Sequence, residues 1–362
     1  MKNFIKSTVI LCSLVIGFVM TPLNVQATNV QLLIGDINGD GEIAMVDLAY
    51  LQNFLSGRKA TANDYMSVRL DVNLDYVISK EDRVDLAQRL ADNVIGNASV
   101  SLYDSEIPFS SAKSYNKINA LTGSFEKYYT LNALSSIQDE SNGLISNYSE
   151  QVTPLNNDSN VPIVTISSSL GTYSGFIVGE NEILTSAHCL YDTLNNVAAT
   201  NVTYSIYEDS YNDLLASGNA ECYHVPNMYI NSTNRIAEYD YAIIKVHENI
   251  GDYGVFDLGI IRKKANILNR KNIIIGGRIS SDYASNNHVP SVLRTYISRD
   301  KITDYAINYE SYSLLCSEGG PILTYTSNGE RVAIGIHSDC NYRIARRIDS
   351  DILQFVYNNE HL

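Results

Sequence analysis

Two twelve-residue acidic segments, Asp36–Asp47 and Asp71–Asp82, repeat one spacing of oxygen-bearing side chains, and a helix-like run follows each. The first, DINGDGEIAMVD, places Asp36, Asn38, Asp40 and Asp47 at loop positions one, three, five and twelve, with Gly41 at position six. The second, DVNLDYVISKED, places Asp71, Asn73, Asp75 and Asp82 at the same positions, with Tyr76 at position six. Calcium takes about six to eight oxygens at short range, and a loop of this length can wrap them around the ion. A backbone carbonyl at position seven, from Glu42 or Val77, completes each set, and Ser79 adds a hydroxyl to the second. Position six needs a sharp turn that an unhindered backbone makes easily, so Tyr76 predicts a strained or weaker second site. The expectation is a small α-helical module organised by two Ca2+ ions over residues 28–96.

The 362 residues leave room for a larger domain besides. A net charge of -14 with no basic stretch argues against a nucleic-acid partner. Trp is absent, which weakens the case for a sugar-binding platform. Lys2 and Lys6, an apolar run from Val9 to Met20 and Val25-Gln26-Ala27 read as a secretory signal peptide over residues 1–27. The run is too short to cross a bilayer, so no membrane span is expected after signal removal. Cys12 leaves with the signal. Cys189, Cys222, Cys316 and Cys340 remain, an even number in an exported chain, with the connectivity open. Residues 97–151 are rich in Ser, Asn and Tyr and read as a linker or pro-segment. From residue 152 to 362 short apolar runs recur between turn signals: VPIVTI, SGFIVG, YAIIKV, NIIIGG, VAIGIH. That spacing predicts an all-β barrel or sandwich. In the closing DILQFVYNN, Ile352, Leu353, Phe355 and Val356 share one side of a terminal helix.

Within this β-rich part three motifs follow in order: ILTSAHC with His188, YDYAIIKV with Asp240, and CSEGGPI. A His can take the proton of a nucleophile. A buried Asp can fix its tautomer, and backbone N–H groups at a glycine-rich turn can hold an oxyanion. The order and separation resemble those of the chymotrypsin-like serine peptidases. The resemblance implies a double six-stranded barrel with a C-terminal helix, and a peptide or protein substrate. The segment YHVPNMYINSTNRIAEYDYAIIKV is similar to the bacterial glutamyl endopeptidases, and VTPLNND (152–158) looks like a mature N-terminus of that family. The likeness implies serine endopeptidase activity after acidic residues, with His337 of GIH holding the substrate carboxylate. It departs from the pattern at one place. Glu318 stands where the family has its nucleophilic Ser, and the neighbouring hydroxyl is Ser317. The Gly expected two residues before the nucleophile is Cys316, or Leu315 if Ser317 acts. Two readings stay open: an endopeptidase using Ser317, and an inactive, peptidase-shaped interaction protein.

The paired loops resemble a dockerin (about 31–95), the module that plugs proteins into cohesins on a scaffoldin. That implies a cohesin partner and a secreted, extracellular place on a cell-surface cellulosome. In dockerins the partner is chosen by residues late in each loop, here Met45 and Val46, and Lys80 and Glu81. By resemblance to trypsin-like enzymes, Cys316 and Cys340 brace the primary pocket. Cys189 follows His188 as in trypsin; Ser174 holds its usual partner position, so Cys222 is the expected partner, the alternative being two free thiols. The family's pro-segment implies a cut before Val152.

Overall fold

A computed structural model describes residues 29–58, 66–92, 97–101, 114–130, 162–207, 213–233, 237–262, 272–278, 290–309, 318–339 and 343–360. The acidic loops open the fold. Strand β1 (Asn29–Leu33) leads into the first loop, and α1 (Met45–Leu55) follows it. The short α2 (Met66–Leu70) precedes the second loop, which carries the two-residue β2 (Val77–Ile78) and continues into α3 (Lys80–Asp92). Strand β3 (Asn97–Ser101) returns antiparallel to β1 and ties the ends of the module together. Gly57, just past α1 and its cap Ser56, is in the left-handed region at φ +70. A Cβ at Gly57 would lie 2.3 Å from the Leu353 carbonyl oxygen, so only glycine allows this approach to the end of the chain.

The stretch expected to be a linker or pro-segment supplies three strands: β3, and then β4 (Ser114–Asn119) and β5 (Phe125–Thr130). Strands β4 and β5 form a hairpin, and β4 pairs with the long strand Leu214–Pro226 of the first barrel. That barrel uses β6 (Ile163–Ser168), β7 (Gly171–Gly179) and β8 (Glu182–Thr185), with a small outlying pair β9 (Tyr191–Asp192) and β10 (Val197–Ala198). It continues with β11 (Thr203–Tyr207), the long β12 (Leu214–Pro226), the single turn α4 (Asn227–Ile230) and β13 (Ala242–Val246). The order β11-β6-β7-β8-β13-β12 closes on itself because β11 also pairs with β12. After β14 (Ile260–Ile261) the second barrel follows: β15 (Asn272–Arg278), β16 (Pro290–Ile302), β17 (Ala306–Tyr309), β18 (Pro321–Tyr325), β19 (Arg331–Asp339) and β20 (Ile344–Arg347). It is closed in the order β15-β16-β17-β20-β19-β18. The expected double six-stranded barrel is the observed fold.

Helix α5 (Ser350–Glu360) ends the described chain, and Ile352, Leu353, Phe355 and Val356 are all buried. They belong to one apolar cluster with Leu51, Phe54, Val72 and Leu86 of the acidic module and Phe176, Tyr241 and Leu323 of the barrels. The loop module is therefore packed into the body of the protein, its apolar faces removed from water together with those of the barrels. Among the described residues no helix is long and apolar enough to cross a membrane.

Candidate functional site

His188 sits in the helical turn Ala187–Cys189, directly after β8, and Asp240 ends the turn that precedes β13. Because β8 and β13 are ladder neighbours, with Thr185 opposite Ala242, residues 52 apart in sequence meet. Asp240 Oδ2 lies 2.9 Å from His188 Nδ1, and Asp240 Oδ1 accepts the His188 backbone N–H at 3.0 Å. An ionised carboxylate on Nδ1 fixes the proton there and leaves Nε2 on the far side of the ring, with Cys189 Sγ at 3.7 Å. Both side chains are buried. Burial opposes charge on the imidazole, but the Asp240 carboxylate, with a contribution from Cys189, outweighs it and holds His188 well above the ordinary imidazole range. The Tyr173 ring meets the imidazole edge-on, 6.2 Å between centroids.

What faces Nε2 is Glu318. Its Oε2 lies 3.3 Å from His188 Nε2, and its side chain is partly exposed. The turn that carries it is pinned between the barrels. Ser174 N–H donates to the Glu318 carbonyl at 2.9 Å, Gly319 N–H donates to the His337 carbonyl at 2.7 Å, and His337 N–H donates to the Gly320 carbonyl at 2.8 Å. Gly319 adopts φ +87, and a Cβ there would lie 2.1 Å from the Ser174 carbonyl oxygen and 2.2 Å from Thr185 Oγ1. The turn therefore has little room to shift, and Glu318 occupies the place opposite the imidazole. Ser317, Cys316 and Leu315 lie outside the described residues, as does Cys340.

His337 is on β19, fully buried, with its ring 5.9 Å from that of Tyr309. Its carbonyl also accepts from Ser186 Oγ at 3.2 Å, so its backbone joins the His188 turn to the Glu318 turn. The expected Cys189–Cys222 bridge is corrected: both are free, buried thiols. Alternation along β12 explains it. Tyr223 and Val225 enter the first-barrel core beside Cys189, whereas Cys222 is not part of that cluster. Burial pushes the Cys222 thiol up to about 11.

The two acidic loops share one internal bonding pattern. Asp47 Oδ1 accepts from the Ile37 and Asn38 N–H groups and Asp47 Oδ2 from Ala44 N–H. Asp82 does the same with Val72, Asn73 and Ser79. The position-one carboxylates, Asp36 and Asp71, accept from Gly41 and Tyr76 N–H respectively, both at 3.1 Å. Gly41 has φ +94, and Tyr76 reaches φ 72, a conformation that costs a side-chain-bearing residue about 1–3 kcal/mol. The backbone of the second loop thus keeps the turn without its glycine. Among the described residues no cluster of three or more His, Cys, Asp or Glu is already gathered as a metal cage. The all-oxygen donor set of the first loop nonetheless suits a hard cation: Asp36, Asn38, Asp40, Asp47 and the Glu42 carbonyl.

Met45 and Val46, at the start of α1, are 60% and 44% exposed. Their counterparts are engaged by the barrels: the buried Glu81 accepts from Thr326 Oγ1 at 2.5 Å, and the half-buried Lys80 pairs with Asp257 and, at 3.6 Å, with Glu330. Sequence reasoning missed Arg262, whose Nη1 donates to Asp71 Oδ2 at 2.5 Å. No spacing signal marks it, because the contact spans 191 positions.

Comparison with known proteins places these features. Residues 34–91 match the family model of the Dockerin type I domain. The chain is 31% identical over 90 residues to the glutamyl endopeptidase of Bacillus licheniformis, a match covering 25% of this chain and 28% of that protein. It therefore spans little more than a quarter of that relative's length. Among solved structures, a Glu endopeptidase in complex with MPD is 20% identical, covering 58% of this chain and 94% of its own, with a TM-score of 0.47. A protease, Anisep, from Arthrobacter nicotinovorans is 18% identical, covering 55% and 95%, with a TM-score of 0.42. Residues 34–91 are thus matched as a dockerin type I domain, and the strand ladders that follow close by themselves into two six-stranded barrels.

Proposed function

We propose that this chain is a secreted, scaffold-attached protein of the serine endopeptidase type, whose two-barrel domain engages polypeptide segments while Glu318 holds its hydrolytic centre shut. The observation that carries this reading is the carboxylate 3.3 Å from His188 Nε2. A serine hydroxyl in that place would be activated by the imidazole. A glutamate offers acceptor oxygens only, and pairs with a protonated imidazole rather than yielding it a proton. The raised pKa of His188 favours that cation, flanked by Asp240 on one nitrogen and Glu318 on the other.

A second reading is supported by the intact His188–Asp240 pair and by the likeness to a glutamyl endopeptidase. Here Ser317 is the nucleophile, His188 the general base, and the backbone N–H groups of Ser317 and Leu315 hold the oxyanion. The buried His337 donates to an acidic side chain before the scissile bond, so that cleavage follows Glu and, less well, Asp. Fluorogenic peptides with Glu, Asp, Lys or Leu at that position, together with fluorophosphonate labelling, separate the two. Turnover and labelling that Ser317→Ala abolishes establish the second reading. Binding of acidic peptides without turnover or labelling establishes the first.

The dockerin match supports attachment to a cohesin outside the cell. Calcium, when bound, neutralises the carboxylates of its loop; Asp36, Asn38, Asp40, Asp47 and the Glu42 carbonyl would hold it in the first. Calorimetry with a cohesin in calcium and in chelator tests the attachment.

A further inference from the structure

The two acidic loops match internally but meet different surroundings. In the first, the position-three and position-five side chains bond to each other: Asn38 Nδ2 donates to Asp40 Oδ2 at 2.7 Å. Gly39, Asp40, Gly41 and Glu42 are exposed. In the second, the barrels reach ligand positions one, three and five. Arg262 Nη1 donates to Asp71 Oδ2 at 2.5 Å, Asn73 Nδ2 donates to Ser327 Oγ at 3.0 Å, and Ser327 N–H donates to Asp75 Oδ2 at 2.9 Å. The contact extends from there. Strand β2 pairs with β14, Ile78 opposite Ile260 and Val77 opposite Ile261. Arg262 N–H donates to the Tyr76 carbonyl at 2.8 Å, and its guanidinium lies 5.4 Å from the centre of the Tyr76 ring.

We propose that the second loop is a docking socket for the chain's own barrels, in which the Arg262 guanidinium supplies the positive charge that calcium supplies in the first loop. The inference rests on the calcium reading of the module given above. Asp71 and Asp82 are buried, with Asp75 beside them, and buried carboxylates need a counter-charge. Arg is permanently charged and seldom releases its proton, so Arg262, itself 3% exposed, is a standing partner for Asp71. A divalent ion entering the same loop would be repelled by that guanidinium and would have to draw Asn73 and Asp75 away from Ser327. Among the described residues the first loop has a looser counterpart: Arg69 stands 3.7 Å from Asp36 and is partly exposed, against 2.5 Å for the buried Arg262 and Asp71. It follows that the chain takes up one calcium ion tightly, at the first loop. The second half of the module stays joined to the barrels with or without calcium, and the late-loop residues Lys80 and Glu81 are spent on that joint.

Calorimetric titration of the full chain with calcium tests this. One tight ion is expected, lost in Asp36→Ala. Arg262→Gln should strengthen a second site by about tenfold or more, because it removes a full charge from a buried pair. Two equally tight ions in the unaltered chain, or a tight ion that survives Asp36→Ala, would overturn the proposal. Neither of those results depends on the Arg262 variant folding. No calcium binding at all would instead overturn the calcium reading on which the inference stands. Hydrogen exchange gives an independent readout. Chelation should expose the amides of Gly39 and Gly41 while those of Tyr76 and Val77 stay protected; equal loss in both loops would contradict the socket.

Discussion

Replacing Glu318 by serine puts a hydroxyl where the carboxylate now meets His188. The backbone at this point is held by the Ser174 N–H to Glu318 carbonyl bond and by the crowded Gly319, so the new side chain inherits the position of the old Cβ. Nucleophile, base and orienting acid would then stand together. Loss of a serine nucleophile costs on the order of 10⁶ in kcat, and restoring it should regain that much in an ideal site. This site is not ideal, because Cys316 stands where a glycine N–H would serve the oxyanion. A lost oxyanion donor costs about 10²–10³. The balance is a gain of roughly 10³–10⁴ over the unaltered chain, or about 4–5.5 kcal/mol of transition-state stabilisation. The assay is fluorogenic cleavage after Glu, with fluorophosphonate labelling to locate the reactive residue, and His188→Ala added to Glu318→Ser should silence both. A Glu318→Ser chain that melts normally yet neither labels nor cleaves would refute the claim that Glu318 fills the nucleophile's place.

Three further outcomes follow from the packing. His224 is buried, and burial, with Lys117 and Lys245 adding, pushes its pKa down to about 3. A base depressed in the folded state contributes its full stability above the unfolded pKa of about 6.5 and loses it as pH falls towards 3, here by about 4–5 kcal/mol. Urea midpoints between pH 7 and 3 should fall, and a folded His224→Gln chain should show a shallower slope; an unchanged slope counts against this assignment. Gly57→Ala drives a Cβ into the Leu353 carbonyl and should cost about 1–3 kcal/mol, read as a lowered Tm, whereas Gly41→Ala meets open space and is penalised through its φ alone. Alkylation of the denatured, unreduced chain should modify both Cys189 and Cys222, and a disulfide-linked peptide containing the two would contradict the strand-face argument.

Much of the architecture was legible because it repeats at short range. The alternating apolar runs became ladders, and the spacing of Ile352, Leu353, Phe355 and Val356 became the buried side of α5. The motif order His188, Asp240, Gly-Gly-Pro located the pair that meets at 2.9 Å. The hairpin Ser114–Thr130 was obscured because its strands carry little period-two contrast; it is a strand pair only because β12 offers an edge to receive it. Its attachment also means that a cut before Val152 would not by itself free the hairpin from the barrel.

The amino-acid sequence alone determined the oxygen-bearing residues of the loops, the identities of His188 and Asp240, and the absence of serine at position 318. Those are matters of residue identity and local spacing. The folded chain decided what each group faces. It set Glu318 against His188, turned Cys222 away from Cys189, and brought Arg262 onto Asp71 across 191 positions. Such pairings depend on how strands close and helices pack, and no local pattern encodes them, because the energy that selects them is shared over the whole buried core.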